Sequence, residues 1–299
     1  MDEYCEFLWR LLDTMEDGIY FADRERKITY WNRAAETLTG FGRNEVLGRH
    51  CGENFLRHID RDGRSLCTGD CPLSRAMDGD ISLEEDIFLH HRDGHRVPVH
   101  VTVFPVKDKQ NRVIGAVETF RDRSARDLFR ERIDQLATAG LIDPETDLPN
   151  RKYLERHLKT RSWMYRQFEA PFGIVYMKID GFAAVKKNIG PDLMAGALRT
   201  VGRTFYRNMT PMDMVGRWEE DVFIGVVRDV DRDRLSRIAD LYRILVAKTE
   251  MPRPGPDRSL TLSCAAILVD AGDDEHSLIE KAKLSLAGVE GTGDRTVVY

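Results

Sequence analysis

The sequence predicts a two-domain α+β/α/β protein, in which an N-terminal antiparallel sheet with helices is joined by a helical connector to a C-terminal sheet flanked by helices. Three observations predict it. The 299 residues are about twice an ordinary domain. Hydrophobic residues at 42% and charged residues at 32% supply real cores beneath a charged surface and argue against global disorder. The apolar periodicity of the first half is that of a hairpin, short helices and three further strands, whereas the second half mixes strands with longer helical stretches.

Charge narrows the function classes. The net charge of -5 arises from 45 basic and 50 acidic residues that are finely interspersed, so neither a nucleic-acid face nor an anionic-membrane face is expected. The opening MDEYCEFLWRLLDTMEDG places acids where a secretory signal carries basic residues, and no apolar run approaches the ~20 residues of a membrane span. A cytoplasmic location is expected. The five cysteines, Cys5, Cys51, Cys67, Cys71 and Cys264, then read as reduced thiols.

Residues 1–17 form the first element, an amphipathic helix in which Phe7, Leu8, Leu11, Leu12 and Met15 recur at helical spacing. It needs a partner surface, either on the sensor or on a second chain. Gly18–Asp23 and Lys27–Asn32 follow as a hairpin. Asn32–Gly40 then switches to helical spacing and stops at glycine, a pattern repeated through Glu45–Gly48. Three strands close the unit at 84–90, 97–106 and 113–120, with turns at His91–Gly94 and Asp108–Asn111.

This order resembles a PAS domain over residues 18–122, carried by Gly18-Ile19, Asp23, Ile28, Trp31-Asn32-Arg33-Ala34-Ala35-Glu36, Leu38-Thr39-Gly40 and Leu47-Gly48. The resemblance implies a sensor but no particular ligand, because the fold hosts many. Tyr30 and Trp31 read as core, so no organic cofactor is expected. Residues 123–140 form the connector, with Leu128, Phe129, Ile133 and Leu136 at the spacing of a short dimeric helix. A homodimer through this helix is expected, with a bland linker helix as the alternative.

Residues 141–299 resemble the GGDEF domain of diguanylate cyclases. The opening signature is carried by Asp143, Leu148, Pro149, Asn150 and Arg151. A strand at Phe172–Ile179, a helix over 183–205, a hairpin over 213–227, a strand over 260–266 and a helix over 277–287 continue the match. The resemblance implies condensation of two GTP molecules into cyclic di-GMP, with magnesium held by oxygen ligands to offset phosphate charge.

Several positions depart from that pattern. Where the family begins an Asp-x-Asp pair, this chain has Lys178, followed by Ile179 and Asp180. A cation there repels a metal by on the order of several kcal/mol. The signature reads Glu219-Glu220-Asp221-Val222-Phe223, so two anionic side chains replace the glycines that let phosphate approach the backbone. Asp221 keeps its place as a metal ligand and Val222 replaces the second acid. Lys186 and Ala195 align with the base-reading asparagine and aspartate, and Glu290 and Asp294 with the phosphate-contacting lysine and arginine. The inhibitory Arg-x-x-Asp motif becomes Thr210-Pro211-Met212-Asp213 and loses the arginine that supplies bidentate contacts. Each change alone reads equally as surface drift; together they remove metal, base, main-chain and phosphate contacts.

The sensor also carries an insertion over residues 49–73 with Cys51, Cys67 and Cys71. Cys67 and Cys71 are four apart, so on a helical turn both thiols face one way, with Cys51 or one of His50, His58, His90 and His91 to complete a zinc or iron–sulfur site. Buried structural thiols and a Cys67–Cys71 redox switch are the competing readings.

The sequence therefore reads as a PAS-sensor signalling protein of the cyclic di-GMP type, without catalysis, acting on itself or other signalling proteins through a degenerate GGDEF module. An active cyclase using magnesium at Asp180 and Asp221, and a purine-nucleotide receptor without turnover, are the rivals. Lys178, Glu219 and Glu220 discriminate between them.

Overall fold

Alternating apolar and polar residues build the first half around one antiparallel sheet. In the computed structural model, which describes residues 3–53, 55–124, 133, 135–210, 212–250, 260–287 and 293–299, the chain divides into two units, Met1–Ser124 and Ala125–Tyr299. Residues 125–132 and 134, half of the expected connector, lie outside the described residues, as does Glu290. Among the described residues no helix is long and apolar enough to cross a membrane.

The first unit opens with α1 (Glu3–Asp13), which ends before the expected 1–17 helix does because the backbone N–H and Oγ1 of Thr14 turn back onto Leu11 O. Strands β1 (Gly18–Asp23), β2 (Ile28–Trp31), β3 (Leu83–His90), β4 (Arg96–Lys107) and β5 (Val113–Asp122) form a sheet in the order β2-β1-β5-β4-β3. One face carries Tyr20, Trp31, Val99, Val101, Ala116 and Phe120 into the core. On the other, Trp9 of α1 lies over Tyr30 at 4.3 Å and Phe21 at 6.1 Å. Short helices α2 (Arg33–Thr39), α3 (Arg43–Val46) and α4 (Pro72–Gly79) complete the unit.

Asn32 shows why the Trp-Asn pair matters here. Its fully buried side chain accepts from the N–H groups of Ile19 and Ala35 at 2.8 Å, capping α2, and donates to Leu12 O and Asp17 O. One amide thereby fastens the helix start to β1 and to the exit from α1. Gly40, at φ 76°, then ends α2 in the left-handed conformation.

In the second unit β6 (Phe172–Ile179), β7 (Met214–Arg217), β8 (Val222–Arg228), β9 (Leu262–Leu268) and β10 (Thr296–Val298) order as β10-β9-β6-β8-β7, antiparallel except for the β9–β10 pair. Helices are α5 (Arg151–Phe168), α6 (Phe182–Ile189), α7 (Pro191–Asn208), α8 (Arg232–Ala247) and α9 (Glu275–Ala287). The helix expected over 183–205 is two helices, because Gly190 at φ 85° and the proline at the start of α7 break it. Apolar clusters cover both sheet faces, around Phe205 and Phe223 on one and Ile224 and Ile267 on the other.

The segment before α5 packs against the β7–β8 hairpin. Asp143 accepts from Thr146 N and Oγ1, Asn150 caps α5, and Arg217 N donates to Pro149 O at 2.8 Å. Gly216 admits this approach, since a Cβ there would stand 2.4 Å from Pro149 O.

Candidate functional site

A cleft of about 680 Å³ opens at the end of β6, lined by Lys178, Asp180, Gly181, Glu219, Ser263 and Lys283 among others. It gathers residues distant in sequence that the sequence reading singled out. Lys178 is half-buried on its wall. Two residues on, Asp180 is held tightly. Its Oδ1 accepts from Ser263 Oγ at 2.7 Å, and its Oδ2 accepts from Thr261 Oγ1 at 2.7 Å and from Asp294 N at 2.8 Å. Gly293 and Asp294 are both left-handed, at φ 48° and 50°, in the turn that brings the Asp294 N–H to this carboxylate.

The β7–β8 hairpin supplies the other wall. Its turn over Glu219–Val222 closes through Trp218 N to Val222 O at 2.8 Å, and none of Glu219, Glu220 and Asp221 has a positive φ. The backbone therefore accepts side chains at positions 219 and 220 without strain. Those side chains are matched by cations. Glu220 pairs with Lys186 of α6, and this ammonium holds its carboxyl below the usual range. Glu219 lies 3.9 Å from Lys283 and 4.0 Å from Arg151, whose guanidinium also covers the Trp218 ring at 4.7 Å. Arg217, nearly buried, binds Asp143 at 3.2 Å, Glu145 and Glu220 O. Asp294 pairs with Arg243 at 2.7 Å.

Not every singled-out residue belongs to the cleft. Ala195 is on α7, and Val222 is buried in the sheet core. Asp221 is half-buried at the hairpin tip, its carbonyl accepting from Ile179 N. Asp213 is buried, accepting from Thr210 Oγ1 at 2.6 Å and Arg228 N at 3.3 Å, so its carboxylate serves the loop it sits in.

In the first unit Cys67 and Cys71 do not share a helical turn: Pro72 starts α4 and Cys71 is its N-cap, leaving Cys67 in the preceding turn. Cys51, Cys67 and Cys71 are free thiols, and burial pushes Cys67 up and Cys51 up to about 12 although Arg26 opposes it. Among the described residues the one trio of donor atoms lying within 4.8 Å of one another is His91, Asp93 and His95, not the cysteines with His58. No metal is assigned to the cysteines. In the trio, the His91 and His95 rings stack at 4.2 Å and His91 Nδ1 already accepts the Asp93 N–H at 3.0 Å, which reads as a hydrogen-bonded turn.

Sequence reasoning missed Glu118, which is 1% exposed at the centre of β5. Its Oε2 accepts from Tyr20 Oη at 3.1 Å, and its Oε1 lies 3.7 Å from His58 Nε2. The signal was available: in Ala116-Val117-Glu118-Thr119-Phe120 the charge shares its parity with two apolar residues.

Comparison with known proteins follows the same division. The model of the family described as "Diguanylate cyclase, GGDEF domain" matches residues 140–295, and a PAS-domain model matches residues 16–125. "Probable diguanylate cyclase DgcE" of Escherichia coli K12 is 24% identical over 269 residues, 90% of this chain and 24% of that protein. "Diguanylate cyclase DosC" of the same strain is 27% identical over 161 residues, 53% of this chain and 35% of its own. The chain thus spans about a quarter to a third of the length of these relatives. Among solved structures, the GGDEF domain of DgcB from Caulobacter crescentus with c-di-GMP aligns at TM-score 0.50 and 19% identity, over 53% of this chain and 93% of that one. The diguanylate cyclase SiaD with its activator SiaC from Pseudomonas aeruginosa aligns at TM-score 0.51 and 21% identity, over 58% and 68%.

Proposed function

Because the chain belongs to the diguanylate cyclase GGDEF-domain family and carries a PAS domain ahead of that module, we propose that it is a sensor-coupled regulator of cyclic di-GMP signalling whose GGDEF unit acts by binding, not by condensing GTP. The observation that carries this reading is the state of Asp180. Both carboxylate oxygens are committed to Thr261, Ser263 and the Asp294 N–H, and Lys178 stands at the preceding ligand position. A divalent cation needs free oxygen donors and tolerates no ammonium among them. These residues do not fit magnesium, and no catalytic step is derived through it.

The paired charges around the cleft support the same reading. Lys186, at the base-reading position, is engaged by Glu220, and Asp294, at a phosphate-contacting position, is engaged by Arg243. Glutamates at 219 and 220 repel phosphate where glycine would admit it. The fold is retained while its polar groups satisfy one another, which suits a module that offers a surface to a second copy or to another signalling protein.

The experiment is incubation of the full chain with GTP and magnesium or manganese, with chromatographic analysis for cyclic di-GMP and calorimetric titration of both nucleotides. No product is expected, and weak or absent nucleotide binding. Cyclic di-GMP above a protein-free control overturns the proposal and returns Asp180 and Asp221 to the metal. Tight GTP binding without product makes the module a nucleotide receptor.

A further inference from the structure

The interior of the PAS unit holds a polar centre that no nucleotide chemistry uses. Glu118 sits on β5 in register with Tyr20 of β1 and Val103 of β4, under the 49–73 insertion. A carboxyl with almost no exposure needs partners for both oxygens. Tyr20 supplies one hydrogen bond. Oε1 has none, and His58 Nε2 stops 3.7 Å short of it. This spacing is within reach of an ion pair, yet neither group is charged near neutral pH. Burial raises Glu118 from 4.5 to about 8, and burial with the charges of Arg96 and Arg26 lowers His58 to about 4.

Every element packed on the centre bears on its charge. From β1, Tyr20 favours the carboxylate by its hydrogen bond, and from β3, Glu85 disfavours it. The insertion contributes His58, whose imidazole burial keeps neutral, and the thiols of Cys51 and Cys67, which burial raises; these thiols, that of Cys71 and Glu118 all act on Tyr20. Arg26 in the β1–β2 turn is occupied by Cys51 and by Cys67 O at 3.3 Å, and Arg96 of β4 by Arg57 O at 2.6 Å. No arginine contact neutralises Glu118 directly in the contacts described.

We propose that Glu118, with Tyr20 and His58, is a buried proton-binding site of the sensor unit, and that loss of its proton rearranges the contact between β5 and the 49–73 insertion. The physical ground is that an ionised carboxylate in this position has one hydrogen bond where it requires several. To gain another it must draw the His58 imidazole, with a proton, across the remaining gap, and His58 is tied to the insertion through Leu66 N to His58 O at 2.9 Å. β5 ends at Asp122, the last strand residue before the connector. Its outward Arg121 grips Asp17 through two bonds at 3.0 and 2.8 Å, so movement of β5 reaches both ends of the unit.

The test is carboxyl-carbon NMR of the full chain labelled at glutamate, titrated from about pH 5 to pH 10, with tryptophan emission followed in parallel, since Trp31 lies 5.7 Å from the Tyr20 ring. One glutamate is expected to titrate near pH 8 and to vanish in E118Q, with a step in emission at the same midpoint that E118Q lacks. Y20F, which removes the bond that favours the carboxylate, is expected to raise the midpoint by roughly one pH unit; it keeps the test decisive should E118Q fold poorly. Glutamates that all titrate in the ordinary range overturn the site. An emission step that persists in E118Q, or a midpoint unmoved in Y20F, overturns the mechanism.

Discussion

Polar side chains at the heart of the sensor unit and those around the C-terminal cleft solve the same problem in opposite ways. Around the cleft, acids and bases are exposed or half-exposed and pair off, Glu220 with Lys186 and Asp294 with Arg243. In the interior of the PAS unit no arginine or lysine pairs with Glu118 among the described residues, and burial holds Glu118, His58 and Tyr20 towards their neutral forms instead. Where water reaches, charge is retained and matched at little cost. Where it does not, protonation is the cheaper route. On this contrast the PAS unit's polar centre should respond to pH and the pairs around the cleft to salt.

The largest effect that could break this contrast is on sensor stability. Unfolded, Glu118 gives up its proton near its ordinary 4.5; folded, it keeps it to about 8. Between those values the unfolded state binds fewer protons, so stability falls as pH rises and then levels off. This term is fully favourable below about pH 4.5 and lost through pH 8, with a ceiling on the order of 5 kcal/mol. Melting of the sensor transition at stepped pH should show that fall in the wild type and a flatter profile in E118Q. Parallel profiles would mean that Glu118 does not carry the difference.

Next comes Asp180. If its carboxylate is structural, D180A removes hydrogen bonds from Thr261, Ser263 and the Asp294 N–H and should destabilise the C-terminal unit by about 2 kcal/mol, read from its denaturant midpoint. A metal ligand held in a strained functional site would respond in the other direction, because removing such a group commonly relieves repulsion. A D180A protein as stable as the wild type would weaken the reading of the cleft as self-satisfied.

These two residues also mark how far the sequence can be read. Strand and hairpin positions were legible because alternation and turn residues are local signals, whereas the cap that Asn32 gives the first short helix was not named from the sequence. The helices at Arg151–Phe168 and Arg232–Ala247 went unremarked although Asn150 and Asp231 cap them in the ordinary way. The insertion misled, since four-residue spacing suggests a shared helical face only until Pro72 is recognised as a helix start. At the cleft, the substitutions at Lys178, Glu219 and Glu220 were legible one by one. That Lys186 answers Glu220, or that Thr261 and Ser263 consume Asp180, depends on contacts 34 and 81 to 83 residues apart in sequence, which spacing cannot reveal.

The smallest effect is the most specific test of that pairing. Lys186 and Glu220 are both exposed enough that water and salt screen them, so neither K186A nor E220A should move the melting temperature appreciably. A double-mutant cycle isolates their coupling from everything else each side chain does. It should give a favourable interaction at low salt that fades as ionic strength rises, whereas the coupling between Arg217 and Asp143, where Arg217 is 8% exposed, should persist. If Lys186 and Glu220 show no coupling at any salt, the two replacements are independent drift. If they do, Lys186 is held in place by Glu220, and E220G should free its ammonium without unfolding the C-terminal unit.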